Sequence, residues 1–132
     1  MVIDTSALIS IAMLEQEAEQ FGAILAQTPG KLISSATRFE CACVIMALKP
    51  LYGLNFINRL LTDTFVETIP FDTVQLDAAI MARQQFGRGS GHKAALNMGD
   101  CFSYALAKTR NLPLLYKGND FIFTDISSAI PD

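Results

Sequence analysis

The sequence is poor in charge, in histidine and in cysteine, and each shortage removes a class of explanation. Charged residues occupy 17% of the 132 positions, against about 25% in an ordinary soluble domain, which argues against a disordered chain, a coiled coil or a polybasic nucleic-acid arm. His92 is the sole histidine, and Cys41, Cys43 and Cys101 form no CxxC pair, so no zinc motif is present. The three thiols read as reduced, buried packing residues. No charge-free apolar run approaches the roughly 18 residues of a membrane span. Lys and Arg are missing before Lys31, where an export signal would place a basic region. A cytoplasmic protein with no membrane partner is expected.

What is present is a 51% hydrophobic chain of one domain's length, expected to form a single domain over residues 1–132 around one substantial core. The formal charge is -3, so a polyanionic partner has to be held by local rather than bulk electrostatics. Where the acids sit therefore decides the reading.

Val2-Ile3 reads as a short strand followed by a helix from Ala7 to about Gln27, and Leu32-Ile33-Ser34 as a second strand feeding a helix from about Ala36 to Leu48. Pro50 and Gly53 break the chain before a short helix around Phe56 to Leu61. Phe65 to Ile69 alternates as a strand, and Asp72 or Thr73 caps a helix carrying Leu76, Ala79, Ile80 and Ala82. Phe86 to Met98, with glycines at 87, 89 and 91, reads as a surface loop. Gly99-Asp100 opens a helix through Lys108, and Leu114 to Tyr116 forms a last strand before a Gly118-Asn119-Asp120 turn. Strands alternating with helices predict an α/β fold, a mainly parallel twisted sheet between two helical layers.

Four acids stand at element junctions. Asp4 follows an apolar strand, so its carboxylate emerges at the strand's carboxyl end, where open α/β sheets bind ligands; Asp can equally cap the next helix. Asp120 has the same address after the last strand, or serves as a turn former beside Gly118 and Asn119. Asp100 lies in a helix's first turn, where the dipole favours an acid without any function. Glu40 follows Thr37 at capping-box spacing. Doubly wound topology brings strand ends and the following helix starts to one rim, which makes the four acids one constellation.

Two carboxylates about 4 Å apart repel by about 4 kcal/mol at an effective dielectric near 20, so such a group needs a cation to stay ionised. Oxygen-only ligands suit Mg²⁺, with Mn²⁺ able to substitute. Such an ion polarises a phosphoryl group and activates a water.

Three blocks, Val2-Ile3-Asp4-Thr5-Ser6-Ala7-Leu8, Gly99 through Ala107, and Lys117-Gly118-Asn119-Asp120-Phe121 through Thr124-Asp125-Ile126, closely resemble the PIN-domain ribonucleases, specifically VapC-type toxins of toxin–antitoxin pairs. The resemblance implies a three-layer α/β/α PIN-like fold and a Mg²⁺-dependent endoribonuclease. Asp4, Glu40, Asp100 and Asp120 match the family's acidic quartet. Asp4 and Asp100 then become the metal ligands, Glu40 holds or orients a water, and Asp120 completes the pocket or a second metal site. Thr5, Ser6, Asn97 and Asp125 are supporting candidates; Asn97 is also a helix cap, and Asp125 a turn or docking residue. The implied partners are RNA, a cognate VapB-type antitoxin and a second copy of the chain, giving a homodimer and a toxin–antitoxin hetero-oligomer.

No acid occurs between Ala78 and Gly99, where Arg83, Arg88, His92 and Lys93 fall. This basic window is the candidate RNA grip; an ordinary solvated loop is the competing reading. Two other functions compete. A haloacid-dehalogenase-type phosphatase would want an acid where Ser6 stands, and a catalytically inactive RNA- or protein-binding module would show no metal dependence.

Overall fold

The structure is a computed structural model and describes residues 1–131. The strands are β1 (Val2–Ile3), β2 (Leu32–Ser34), β3 (Glu67–Ile69) and β4 (Leu114–Leu115), joined by helices α1 (Thr5–Ala12), α2 (Ala18–Gln27), α3 (Ser35–Leu48), α4 (Gly53–Asp63), α5 (Thr73–Phe86) and α6 (Met98–Arg110). A 3₁₀ turn spans Phe121–Phe123. The sheet has the order β3-β2-β1-β4 and every pairing is parallel.

Strand periodicity divides the core into two layers. Val2 pairs with both Leu32 and Leu114, and these side chains join Ala79, Ala82, Phe86, Tyr104 and Leu106 of α5 and α6. Ile3, Ile33 and Leu115 point the other way, onto Leu8, Phe21, Leu25, Ile45 and Ile57 of α1 to α4. Both faces are thus covered, as an all-parallel sheet requires. The chain runs outward from β1 to β2 and β3, then returns to place β4 on β1's free side. β1 and β4 therefore flank the topological switch point, the crevice where such sheets bind ligands.

Three local expectations are corrected. The helix expected from Ala7 to Gln27 is two helices, because Leu14 takes a left-handed φ of 52°. The break turns Glu15 and Glu17 back onto Lys117, where both form ion pairs. Phe65 also has a positive φ, 59°, so β3 begins at Glu67. Cys43 is exposed, whereas Cys41 and Cys101 are buried as expected; burial pushes the Cys41 thiol up to about 12, so it stays protonated and unreactive.

The segment between α5 and α6 is pinned rather than free. Leu96 is fully buried, bridges Gly87, and its carbonyl accepts from Arg83 Nη1 at 3.0 Å.

Candidate active site

Asp4 leaves β1 as the N-cap of α1, its Oδ2 accepting from the Ser6 backbone N–H. The capping reading of Asp4 holds and is compatible with its place at the strand's carboxyl end: capping fixes the side chain, and only 4% of the residue is exposed. Asp100 reaches the same rim from α6. Asn97 caps that helix, and a reciprocal capping box holds Asp100, whose Oδ2 accepts from the Asn97 N–H at 2.9 Å.

Glu40 arrives by another route than expected. Ser34, not Thr37, caps α3, so there is no Thr37–Glu40 capping box; Glu40 lies deeper in the helix and its Oε1 accepts from the Thr5 hydroxyl at 2.5 Å. Gly99 makes room for it. A Cβ on Gly99 would fall 1.6 Å from Glu40 Oε2. Asp120 follows β4 and is exposed at the outer rim.

A cavity of about 400 Å³ is lined by Asp4, Thr5, Ser6, Glu15, Glu40, Asn97, Asp100, Lys117 and Asp120. All four expected acids face it. Burial pushes the Asp100 carboxyl up to about 7, with Asp4, Asp120 and Glu40 adding repulsion against the opposing Asn97 hydrogen bond. Glu40 is also raised, by burial first and then by Asp4, with the Thr5 hydroxyl pulling the other way. Lys117, the one cation in the lining, is held by Glu15 and Glu17.

This donor set fits a hard divalent cation: it is all oxygen, and a positive charge would relieve the repulsion at Asp100. Among the described residues no three His, Cys, Asp or Glu side chains are grouped closely enough to enclose an ion. A hard cation held by one or two carboxylates, with waters and substrate phosphates completing its shell, does not need such an enclosure.

Other candidates divide. Ser6 belongs to the site, with its hydroxyl 2.6 Å from Asp4 Oδ2. Asp125 does not line that cavity: it borders a separate one with Lys108 and Asn111, accepting from Tyr104 Oη at 2.7 Å and Lys108 Nζ at 2.6 Å. Burial pushes Asp125 up, but those two hydrogen bonds outweigh it and hold the carboxyl below its ordinary value.

Arg83 and Arg88 line a second cavity of about 520 Å³ that shares Asn97 with the acidic one. His92 and Lys93 line neither. The His92 ring stacks edge-on against Phe86 with 5.0 Å between centroids, its Nδ1 accepting from Ala94 N–H. Lys93 Nζ sits 4.3 Å from the Phe123 ring centroid, a cation–π contact that anchors the loop.

Sequence reasoning gave no site role to Gly99 or Lys117, which shape the cavity. The signal for Gly99 was a glycine inside a helix's first turn, where it weakens the helix unless something needs the space.

The geometry has sequence relatives. The PIN domain family profile matches residues 1–126. "Ribonuclease VapC" of Mycolicibacterium smegmatis is 41% identical over 129 residues, covering 98% of this chain and 99% of the relative. The chain belongs to the PIN-domain family, among the VapC ribonucleases. Ribonuclease VapC30 of Mycobacterium tuberculosis is 42% identical over 132 residues, with 99% and 100% coverage. The fold also matches the crystal structure of Mycobacterium tuberculosis VapC20, a Sarcin-Ricin loop cleaving toxin, with a TM-score of 0.78 at 14% identity and 98% coverage of both chains. A toxin–antitoxin complex from Klebsiella pneumoniae matches with a TM-score of 0.66 at 24% identity, covering 91% of this PIN domain and 88% of that chain.

Gly99 supplies a direct test of the packing in this PIN domain. Gly99→Ala should raise helix propensity yet displace Glu40, lowering RNA cleavage about 10- to 100-fold with little change in the thermal midpoint. Steady-state cleavage rates beside melting curves check it; unchanged cleavage would show that Glu40 need not sit there.

Proposed function

We propose that this protein is a Mg²⁺-dependent endoribonuclease toxin, with Mn²⁺ able to substitute, that hydrolyses RNA phosphodiesters and is neutralised by a cognate VapB-type antitoxin. The observation that carries this is the convergence of Asp4, Glu40, Asp100 and Asp120 on one cavity, with the Asp100 carboxyl raised to about 7. When bound, the cation polarises a phosphoryl oxygen and supplies an activated water for in-line attack. Asp4 and Asp100 hold the ion. Glu40, steadied by the Thr5 hydroxyl, would hold or orient a water in the cavity. Asp120 completes the acidic rim. Arg83 and Arg88, beyond Asn97, grip the flanking RNA backbone.

Asp4, Glu40, Asp100 and Asp120 account for 4 of the 13 acids, and the other 9 face ten Lys+Arg, so the rest of the chain is formally +1. The acidity is local to the site.

The same reading makes the chain a single PIN domain acting in the cytoplasm as a homodimer and, with antitoxin, as a hetero-oligomer. No helix among the described residues is long and apolar enough to cross a membrane. Exposed apolar side chains are available to protein partners: Phe39, Leu51, Tyr52 and Phe56 on and between α3 and α4 are assigned to the antitoxin, and Val74, Ile80 and Met81 on α5 to the second copy.

A stem–loop RNA incubated with purified protein tests the activity. Cleavage is expected in Mg²⁺, leaving 5′-phosphate and 3′-hydroxyl ends, with none in EDTA and recovery when Mg²⁺ or Mn²⁺ is restored. Cutting that persists in EDTA would contradict the proposal.

A further inference from the structure

The Asp4 carboxylate is held by a chain of buried hydroxyls. Ser103, fully buried on α6, donates to Asp4 Oδ1 at 2.6 Å. Thr37, fully buried on α3, places Oγ1 3.2 Å from Ser103 Oγ. A hydroxyl carries one proton, and an ionised carboxylate only accepts. Ser103 therefore gives its proton to Asp4, and Thr37 must be the donor to Ser103.

The other carboxylate oxygen is also occupied. Asp4 Oδ2 accepts from the Ser6 N–H at 3.0 Å and from Ser6 Oγ at 2.6 Å. Ser6 Oγ in turn accepts from the Lys117 N–H at 2.9 Å, which directs its proton to Asp4. A carboxylate offers about four lone-pair sites. Three are taken by the protein, and the fourth is on Oδ1.

The placement repeats on two helices. Asp100 and Ser103 are three residues apart on α6, and Thr37 and Glu40 three apart on α3, so each helix presents an acid to the cavity and a hydroxyl to the chain behind it. The hydroxyls tie the end of β1 to both helices that carry the remaining inner acids.

We propose that Ser103 and Thr37 are positioning residues that fix the Asp4 carboxylate so that a single Oδ1 lone pair is left for a divalent cation, making Asp4 a one-oxygen ligand. The inference rests on the cavity being the cation site. Without the Ser103 proton Oδ1 loses its one protein donor and the carboxylate is held through Oδ2 alone, and without Thr37 the Ser103 hydroxyl loses the donor that orients it.

Mn²⁺ binding to the purified protein, followed by electron paramagnetic resonance, tests this without relying on cleavage. Ser103→Ala should weaken Mn²⁺ affinity about 10- to 100-fold. Thr37→Val, which keeps shape but removes the donor, should weaken it in the same direction, and Thr37→Ser, which keeps the donor, should restore most of it. If Ser103→Ala fails to fold, the Thr37 pair carries the test. Wild-type Mn²⁺ affinity in Ser103→Ala or Thr37→Val, with only the melting temperature lowered, would show that the hydroxyls merely satisfy a buried acid and would overturn the proposal. Absence of Mn²⁺ binding in the wild type would overturn the cation reading itself, and this inference with it.

Discussion

Asp4→Asn is expected to lower Mg²⁺-supported RNA cleavage by at least about 10³-fold, the order of several kcal/mol of charge stabilisation, while leaving the fold intact. The local hydrogen bonds explain why the two effects separate. Two donors from Ser6 meet Oδ2, so the amide oxygen of the substituted side chain takes that position and still caps α1. The amide nitrogen then faces Ser103, whose hydroxyl can turn to accept from it. Capping and burial are preserved, but the group aimed at the cavity has become an N–H donor, which no cation can use. Far-UV circular dichroism should match the wild type. Cleavage within tenfold of wild type would remove Asp4 from the metal site.

Asp100→Asn is expected to abolish cleavage to a similar degree and, in the opposite direction, to stabilise the metal-free protein above neutral pH. The sign follows from the raised carboxyl, at about 7 against an ordinary 3.8. The folded state holds this proton more tightly than the unfolded chain, so the contribution of Asp100 to stability is greatest below about pH 4, declines as pH rises and levels off above about pH 7. Glu40 is raised as well and contributes in the same sense. An amide at position 100 never ionises, and its oxygen can still accept from the Asn97 N–H. Thermal melts in EDTA from pH 4 to 8 should therefore slope downward for the wild type and much less for Asp100→Asn, and Mg²⁺ should raise the wild-type midpoint most at pH 8. Parallel wild-type and variant curves would show that the Asp100 environment is not what sets the slope.

How far the site could be read from residue types depended on whether a function was local. Asp4, Asp100 and Asp120 are legible because each sits beside a strand end or helix start, and a doubly wound sheet sends those positions to one rim. Asn97 is legible as a cap for the same reason, its partner Asp100 being three residues on. Glu40 is the instructive case: its place in the quartet came from family resemblance, while the local pattern pointed to a Thr37 capping box that does not form. The residue Glu40 does meet, Thr5, is 35 positions away.

Ser103 and Thr37 lie deeper still, since their roles emerge only when β1, α3 and α6 are packed together. A serine or threonine within a helix looks the same whether it bonds its own backbone or a carboxylate 99 positions distant. Asp125 is the reverse case: an acid in a family-like block, open to a pocket or a docking reading, whose contacts with Lys108 and Tyr104 fit the docking one. The break at Leu14 was hidden because an apolar residue at helical spacing gives no sign of a positive φ. Its partner signal, the run of glutamates opposite Lys117, becomes informative only once β4 lies beside β1.

One cavity, ringed by Asp4, Glu40, Asp100 and Asp120, is the centre of this proposed function: it binds a divalent cation, and that binding enables RNA hydrolysis. The most direct measurement is a paired Mn²⁺ titration on the same protein preparation, recording bound ion and initial cleavage rate at each concentration. The two curves should rise together in the wild type, and both should collapse in Asp4→Asn. Cleavage already at full rate before the ion binds, or Mn²⁺ binding unchanged by Asp4→Asn, would contradict the cation's role.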